Sequence, residues 1–420
     1  MWELIRANKR KSFILFFSMG MVLLILGYII GEMWFGQGGG SVGIFFAFII
    51  WVILSIISYY SGSSILLSIS NAKEVTKSVH PQLFNVVEEM TIASSLPKMP
   101  KIYIINEEAP NAFATGRNPE NSAVAVTAGL LARMNRDELQ GVIAHEMSHI
   151  ANRDILFMTF AGIMLGSIVL ISQVFLRSLW FTGGSSNRYK SSESGGGQGQ
   201  MIMMIVAIVF AILSPIIAQL LYFAISRKRE YLADANGARL TRYPEGLASA
   251  LEKLSQNTSD LKSANKVTAG MYIVNPLKKK GMKLSDLTST HPPISERVRI
   301  LRTMNSGAGF LDYQQAYAAV KRKNEKIIPN SAIKAKEKVE IRKPSEGARQ
   351  ASAKKTKRDI GDLMMNLNNY LFITCVCGLK IKVPPDYKKN QIVCPRCGRK
   401  HAIPFNELKN IAAVAAAKNL

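Results

Sequence analysis

Residues 145–149 have the order His-Glu-Met-Ser-His, a spacing that suits a metal site on a helix. Residues four apart lie on one helix face, so His145 and His149 could bind one Zn²⁺ through their ring nitrogens. Glu146 would stand beside them, placed to take a proton from a water molecule that the metal activates. The alternative is a surface helix with two solvated histidines. Because the chain has only 5 histidines and the neighbouring residues are apolar, the pattern favours the zinc site.

A catalytic zinc needs a third protein ligand and a position that stays open for water. No third histidine follows His149 at close range, and the sequence offers Glu230 instead. Asp234, one helical turn further on, shares a helix face with Glu230 and could orient a ligating imidazole. Alternatively, Glu230 pairs only with Arg227 or Arg229 at a membrane surface. The spacing alone does not decide between these two roles of Glu230.

All four cysteines lie near the carboxyl end of the chain, in two close pairs that are each followed by a glycine. The pairs are Cys375 with Cys377 and Cys394 with Cys397. They predict a zinc-ribbon, a small domain that folds around one structural Zn²⁺ held by four thiolates. A redox pair formed by the last two cysteines is the alternative. Since no cysteine lies elsewhere, a disulfide-stabilised secreted fold is excluded and a reducing compartment is favoured.

Four segments are apolar and long enough to cross a bilayer, which takes about 20 residues. They are residues 12–31, 42–61, 155–176 and 201–226. Pro215 is expected to kink the last segment. Lys and Arg residues flank the segments at the N-terminus, within 62–154 and after residue 226, so these parts are expected in the cytoplasm. For the last two segments the alternative is a buried helical hairpin in a soluble domain.

The expected metal ligands adjoin these membrane segments. His149 comes shortly before the third segment, and Glu230 comes shortly after the fourth. At about 1.5 Å per helical residue, the metal should lie within roughly 10 Å of the bilayer boundary. We therefore expect the protein to bind its substrates at the membrane surface.

The composition agrees with this division of the chain. The formal net charge is +24, from 53 Lys and Arg against 29 Asp and Glu, yet 48% of the 420 residues are hydrophobic. A disordered basic chain would be poor in apolar residues, so that class of protein is excluded. More than half of the excess positive charge lies in the last hundred residues, and much of the rest flanks the membrane segments. The positive charge is thus mostly explained by the basic C-terminal region and by the expected cytoplasmic flanks of the membrane segments.

Between the second and third membrane segments the sequence has the pattern of a globular domain. Residues 101–105 and 123–127 are predicted to be short strands. Asn135 is followed three residues later by Glu138, which predicts a capped start for the helix that carries His145 and His149.

Several short motifs resemble those of one protease family. They are Pro110-Asn-Ala-Phe-Ala-Thr-Gly116, the segment from His145 to His149, Ser226-Arg-Lys-Arg-Glu-Tyr-Leu-Ala-Asp234, and Thr290-His-Pro-Pro293 with Glu296 and Arg297. In type and order they resemble the HtpX-type membrane zinc metalloproteases, relatives of the CAAX-prenyl endopeptidases. The resemblance covers about residues 1–305.

The resemblance implies an endopeptidase of a bacterial-type inner membrane that faces the cytoplasm and cleaves damaged or misassembled membrane proteins. Carried over by position, His145, His149 and Glu230 are its zinc ligands, and Glu146 is its general base.

Two further residues of the matching motifs each have two candidate roles. Asn111 lies in a segment that, in this family, looks like an edge strand beside the cleft, where it could hydrogen-bond an extended substrate. It could equally be a turn residue after Pro110. His291 could help to stabilise the oxyanion, or it could cap the helix that starts near Pro292, which is the role we favour from the sequence.

The expected fold is mainly α-helical and integral to the membrane, with four transmembrane helices, a cytoplasmic gluzincin-like α+β protease domain and a small β zinc-ribbon. The expected regions are a transmembrane helix pair at 1–61, the protease domain at 62–305 interrupted by a transmembrane hairpin at 155–176 and 201–226, a basic flexible linker at 306–366, the zinc-ribbon at 367–405 and a C-terminal tail at 406–420.

The expected cofactors are one catalytic and one structural Zn²⁺, and the expected partners are membrane-protein substrates and the lipid bilayer. The basic linker and ribbon could contact anionic lipid or another protein, whereas the lack of an aromatic stacking pattern around the ribbon argues against nucleic acid. One competing function is a zinc-dependent membrane scaffold or adaptor that works through the ribbon, although a structural site has no need of Glu146. The other is a prenyl-protein endopeptidase, which the four-segment layout disfavours.

Overall fold

The structure is a computed structural model that describes residues 2–182, 197–257, 271–274, 291–322, 325–329, 332–333, 339–345 and 353–404. Within these ranges the helices are α1 (Trp2–Phe35), α2 (Gly39–Ile69), α3 (Pro81–Ala93), α4 (Ala128–Arg133), α5 (Arg136–Ala151), α6 (Asp154–Thr182), α7 (Gly197–Thr241), α8 (Pro244–Gln256), α9 (Ile294–Thr303), α10 (Phe310–Lys321) and α11 (Ala353–Leu367). The strands are β1 (Ala72–Glu74), β2 (Lys101–Ile105), β3 (Ala112–Asn118), β4 (Asn121–Thr127), β5 (Leu371–Thr374), β6 (Lys380–Val383), β7 (Gln391–Val393) and β8 (Lys400–Ala402). The predicted C-terminal tail at 406–420 lies outside the described residues.

Three helices in the described part of the chain are long and apolar enough to cross a membrane. These spans are Ser12–Phe35 in α1, Gly39–Ile69 in α2 and Asp154–Ser178 in α6. The fourth expected span lies within α7, where the described apolar stretch is the shorter Met204–Leu220. The helix α7 continues through Pro215, and Glu230 lies further along the same helix. The protein is thus mainly helical, with helices suited to span a membrane.

The outer faces of these helices are apolar. Phe45 on α2 is 60% exposed and Ile202 on α7 is 57% exposed, and many neighbouring large apolar side chains are similarly exposed. A soluble domain does not expose a continuous apolar surface of this extent. The surface therefore favours a bilayer over the alternative of a soluble helical hairpin.

A four-stranded sheet with the order β1-β2-β4-β3 forms the base of the globular part. The strand β2 is parallel to β4, and β3 is antiparallel to β4, which makes β3 an edge strand. One face of the sheet, which includes Ile104 and Val126, packs in a core with α3 and α5. The other face, which includes Phe113 and Ala125, packs against residues of α1 and α6. The sheet is therefore buried on both faces, between the globular helices and the membrane helices.

Local sequence signals fix the position of α5. Asn135 accepts a hydrogen bond from the Glu138 amide and donates its own amide to the Glu138 carboxylate, both at 2.9 Å. This capping box satisfies amides that the first helical turn would otherwise leave unpaired. At the other end, Arg153 has a left-handed backbone with a φ of 62°, and α6 begins at the next residue. The break between α5 and α6 is therefore only two residues long.

The predicted ribbon contains two small hairpins, β5–β6 and β7–β8. The four thiols are free and lie together, with Sγ–Sγ distances of 3.4 Å for Cys375 and Cys397 and 3.7 Å for Cys377 and Cys394. Each cysteine pair closes a tight turn, in which the Gly378 amide donates to Cys375 O and the Gly398 amide donates to Cys394 O. The arrangement fits a four-thiolate metal site.

The described parts of residues 306–366 contain more regular structure than the flexible linker expected there. The helices α10 and α11 lie in it, and the side chains of Ile360 and Leu367 are buried in the main core. Arg342 forms an ion pair of 2.7 Å with Asp137 at the start of α5. The spacing of Ile360, Leu363, Met364 and Leu367 is that of an amphipathic helix, a signal that the strongly basic composition obscured.

We expect Gly398→Ala to weaken metal binding by the ribbon about five- to thirtyfold. Gly398 has a φ of 72°, and an added Cβ would contact no other atom. The cost of the substitution is therefore the backbone strain of an L-residue in the left-handed region, about 1–2 kcal/mol. Chelator titration of the ribbon zinc measures the effect. Gly361→Ala is the matched control, because Gly361 lies in open space on α11 without a left-handed backbone. An equal loss in both variants would contradict this explanation.

Candidate metal centre

Three side chains from two helices come together in the interior. Their atoms are separated by 3.3 Å (His145 Nε2 to His149 Nε2), 3.6 Å (His145 Nε2 to Glu230 Oε2) and 3.5 Å (His149 Nε2 to Glu230 Oε1). All three side chains are buried. His145 and His149 come from α5, and Glu230 comes from α7, after its apolar stretch Met204–Leu220. The structure thus brings together the three residues that the sequence suggested as ligands.

The donor set fits a zinc ion. In a tetrahedral site with Zn–N distances of about 2.0–2.1 Å, two ligand nitrogens lie about 3.3–3.4 Å apart, close to the spacing of the two Nε2 atoms. Among the described residues, the buried Glu230 Oε2 has no hydrogen-bond partner. A buried carboxylate oxygen without such a partner is costly, and a bound cation would satisfy it.

Each imidazole is held from behind by a carboxylate. His145 Nδ1 lies 3.0 Å from Asp234 Oδ1, and His149 Nδ1 lies 3.3 Å from Asp154 Oδ2. A carboxylate at Nδ1 favours the tautomer with the proton on that nitrogen, which leaves Nε2 free to bind a metal. The placement of Asp234 is the one suggested from the sequence, whereas Asp154 was not anticipated.

Arg297 connects the carboxylates of α7. It donates two hydrogen bonds to Asp234, from Nε at 2.8 Å and from Nη2 at 2.7 Å, and its Nη1 lies 3.4 Å from Glu230 Oε2. The side chain is completely buried. Burial alone would lower the pKa of Arg297, but the charges of Asp234 and Glu230 raise it above its ordinary value. The permanently charged guanidinium of Arg297 therefore holds the carboxylates of Asp234 and Glu230 in place, and its planar fork is suited to this pairing.

The electrostatics of the cluster suit a cation. Burial alone would raise the pKa of Glu230, but His291, His145 and Arg297 hold it well below its usual range. Burial alone would lower the pKa of His145, whereas its hydrogen bonds with Asp234 and Glu230 raise it to about 9. The negative charges that raise the pKa of His145 also favour a metal ion, which would replace the proton on His145 Nε2.

Glu146 is buried beside the metal ligands and faces the edge strand. The backbone amide of Ala114 on β3 lies near its carboxylate and favours the charged form. Burial raises the pKa of Glu146 above its ordinary value. A carboxylate with a raised pKa is better matched to taking and returning a proton near neutral pH.

The two residues with open roles both lie at this site. His291 Nε2 is 3.6 Å from Glu230 Oε2, and α9 starts later, with Pro293 as its N-cap. His291 is therefore not the N-cap residue of that helix. Asn111, at the start of β3, donates from its side-chain nitrogen to Val274 O at 2.8 Å.

Sequence reasoning missed the roles of Asp154 and Arg297. The signal for Asp154 is its position directly after the break that ends α5, where a carboxylate can reach back to His149. Arg297 was noticed only as part of a motif, because nothing in the spacing shows that α9 packs against α7. Both contacts depend on how helices distant in sequence are packed together.

We expect Asp154→Asn to weaken zinc binding at this site about 10- to 100-fold, because the carboxylate that orients His149 is lost. Competition with a chromogenic chelator measures the affinity in a chain whose four cysteines are replaced by serine, so that only this site is observed. The exposed Asp386→Asn is the control. Unchanged affinity in Asp154→Asn would show that the contact does not orient the ligand.

Comparison with known proteins identifies the family. The profile of peptidase family M48 matches residues 77–305. The "Protease HtpX homolog" of Dictyoglomus turgidum is 45% identical over 74% of this chain and 97% of its own length, and that of Streptococcus gordonii is 41% identical over 72% and 100%. The crystal structure of S. mikatae Ste24p is similar over 72% of this chain and 67% of its own, with 20% identity and a TM-score of 0.37.

The family assignment confirms the resemblance noted in the sequence. It also confirms the expected enzyme class, a hydrolase of the metalloprotease type, over the scaffold alternative. The chain belongs to peptidase family M48 and is a membrane metalloprotease of the HtpX type.

Proposed function

We propose that this protease is a zinc-dependent endopeptidase with His145, His149 and Glu230 as metal ligands and Glu146 as general base. The observation that carries the proposal is the position of Glu146, which is buried beside the ligand cluster and close to the edge strand β3. A purely structural metal site has no need of such a carboxylate.

Bound zinc would polarise the scissile carbonyl and acidify a water molecule. The proton transfers and the orientation of the metal ligands would come from side chains of this protein. Glu146 takes a proton from the attacking water and returns it to the leaving amine. Asp154 and Asp234 keep the two imidazoles oriented, and Arg297 holds Asp234 in place.

We also propose that substrates are met at the cytoplasmic surface of a bacterial-type inner membrane. In this topology α7 crosses the membrane as the fourth span, and the N-terminus, protease domain and C-terminus lie in the cytoplasm, as the basic flanks predict. The ligand helix α5 is followed almost at once by α6, and Glu230 lies on α7 itself. This supports a metal close to the bilayer boundary and membrane proteins, damaged or misassembled ones in particular, as substrates.

The ribbon would bind a second, structural zinc through Cys375, Cys377, Cys394 and Cys397. Lys73, just after α2, donates to Leu367 O at 3.2 Å and to Asn368 Oδ1 at 2.9 Å, so the ribbon is attached near the end of a membrane helix. Its exposed basic residues are Lys380, Lys388, Lys389, Arg396, Arg399 and Lys400. We propose that this surface contacts anionic lipid or protein, and that nucleic acid is not its partner.

Glu146→Gln should abolish peptide-bond cleavage, with a fall of at least about 100-fold, because the proton acceptor is lost. Zinc should remain bound, since the three ligands are unchanged. Cleavage of casein by the purified full chain in detergent with added zinc measures the activity, and the metal content is determined on the same samples. The exposed Glu120→Gln is the control. Cleavage by Glu146→Gln at the wild-type rate would disprove the proposed mechanism.

A further inference from the structure

A short segment of the chain, Met271–Val274, lies on the edge of β3. The Ile273 amide donates to Ala112 O at 3.0 Å. Asn111 binds the next residue twice, because its side-chain nitrogen donates to Val274 O at 2.8 Å and its side-chain oxygen accepts from the Val274 amide at 3.4 Å. The segment is therefore held through its main chain, in the way that a strand is added to a sheet edge.

The carbonyl of Ile273 connects the segment to the metal centre through Arg297. This carbonyl accepts a hydrogen bond from Arg297 Nη1 at 3.3 Å. The same nitrogen lies 3.4 Å from Glu230 Oε2, one of the proposed metal ligands. The segment thus reaches the wall of the metal site.

The register on β3 places the segment and the general base on the same free edge. Along a strand, alternate residues direct their main-chain groups to the same side. Asn111 O accepts a hydrogen bond from the Thr127 amide on the side of β4. The main-chain N–H and C=O groups of Ala112 and Ala114 therefore point to the opposite side, away from β4. Ala112 O accepts the hydrogen bond from the segment, whereas the Ala114 amide lies near the Glu146 carboxylate. The amide of Ile273 therefore lies at Ala112, and the general base Glu146 lies near Ala114, the next outward-facing residue of β3.

The side chains of the segment are also accommodated. Met271, Tyr272 and Ile273 are all buried. The Tyr272 ring packs edge-on against Phe113, with 5.1 Å between the ring centroids and an angle of 85°. The space beside the edge of β3 thus holds consecutive large apolar side chains of this segment.

We propose that Met271–Val274 is an internal occupant of the substrate groove, held by the same groups that bind the main chain of an extended substrate. The inference rests on the proposed function. An extended apolar peptide must displace the segment before it can reach Glu146. Asn111 and Arg297 are then the residues that clamp the substrate backbone, and the order Met-Tyr-Ile-Val indicates a preference for extended apolar stretches, which membrane proteins expose when they lose their native packing.

Hydrogen exchange tests this displacement without relying on catalysis. The probe is the acetylated, amidated peptide Met-Tyr-Ile-Val, added to the full-length Glu146→Gln chain in detergent with zinc. We expect amide exchange in residues 271–274 to become at least tenfold faster at saturating peptide. The same peptide methylated on the isoleucine nitrogen is the control, because it cannot donate to Ala112 O. Unchanged or slower exchange in residues 271–274 would overturn the proposal.

A substitution gives an independent test. Ile273→Pro removes the amide hydrogen that binds Ala112 O, whereas Ile273→Leu keeps it. In the Glu146→Gln background, Ile273→Pro should bind the fluorescently labelled peptide about tenfold more tightly, and Ile273→Leu should bind it as the parent does. Weaker binding by a folded Ile273→Pro chain would show that the segment is a structural wall of the groove. If that variant does not fold, the exchange experiment on the unaltered segment decides.

These readouts separate the inference from the proposed function. The proposed function fails if the wild-type chain does not cleave casein, or if Glu146→Gln cleaves it as well. Peptide binding and hydrogen exchange report on the groove in either case, so the internal occupant can be tested even where the catalytic assignment is wrong.

Discussion

The contact between Glu230 and the two imidazoles of His145 and His149 determines how the helices of this protein must be arranged. Burying an unpartnered carboxylate costs several kcal/mol, so Glu230 can lie between α5, α7 and α9 because His145, His149 and Arg297 face it. The helix α7 also carries the apolar stretch Met204–Leu220, and α5 is followed after a two-residue break by α6, which is long and apolar enough to cross a membrane. The same contact thus joins the candidate metal site to helices with long apolar stretches.

Much of the architecture was predictable because it rests on local patterns. The long apolar segments, the capping box at Asn135 and Glu138, and the strands at 101–105 and 123–127 all depend on residues close together in the sequence. The structure has the capping box and both strands, and its described residues include three of the four expected spans. The helical spacing of His145 and His149 likewise placed them on one face. The spacing could not decide whether Glu230 approaches the two histidines, and it was the family resemblance that implied this contact.

The rest depends on contacts between residues far apart in the chain. The hydrogen bonds of Arg297 to Asp234 and of Asn111 to Val274 join helices and strands separated by more than sixty residues, and no periodicity signals them. The structure in the 306–366 region was missed for a different reason. Its charge dominated the composition, so the apolar face of α11 that includes Ile360 went unrecognised.

The central claim is that a metal centre built only from nitrogen and oxygen ligands lies between α5 and α7, separate from the cysteine ribbon. Zinc X-ray absorption on the purified full chain with all four cysteines replaced by serine tests it most directly. We predict one zinc per chain, with nitrogen and oxygen ligands at about 2.0–2.1 Å and no sulfur shell at about 2.3 Å. Loss of that zinc in the additional variant His149→Ala would locate it. A cysteine-free chain that binds no zinc, or one whose zinc is unaffected by His149→Ala, would contradict the account.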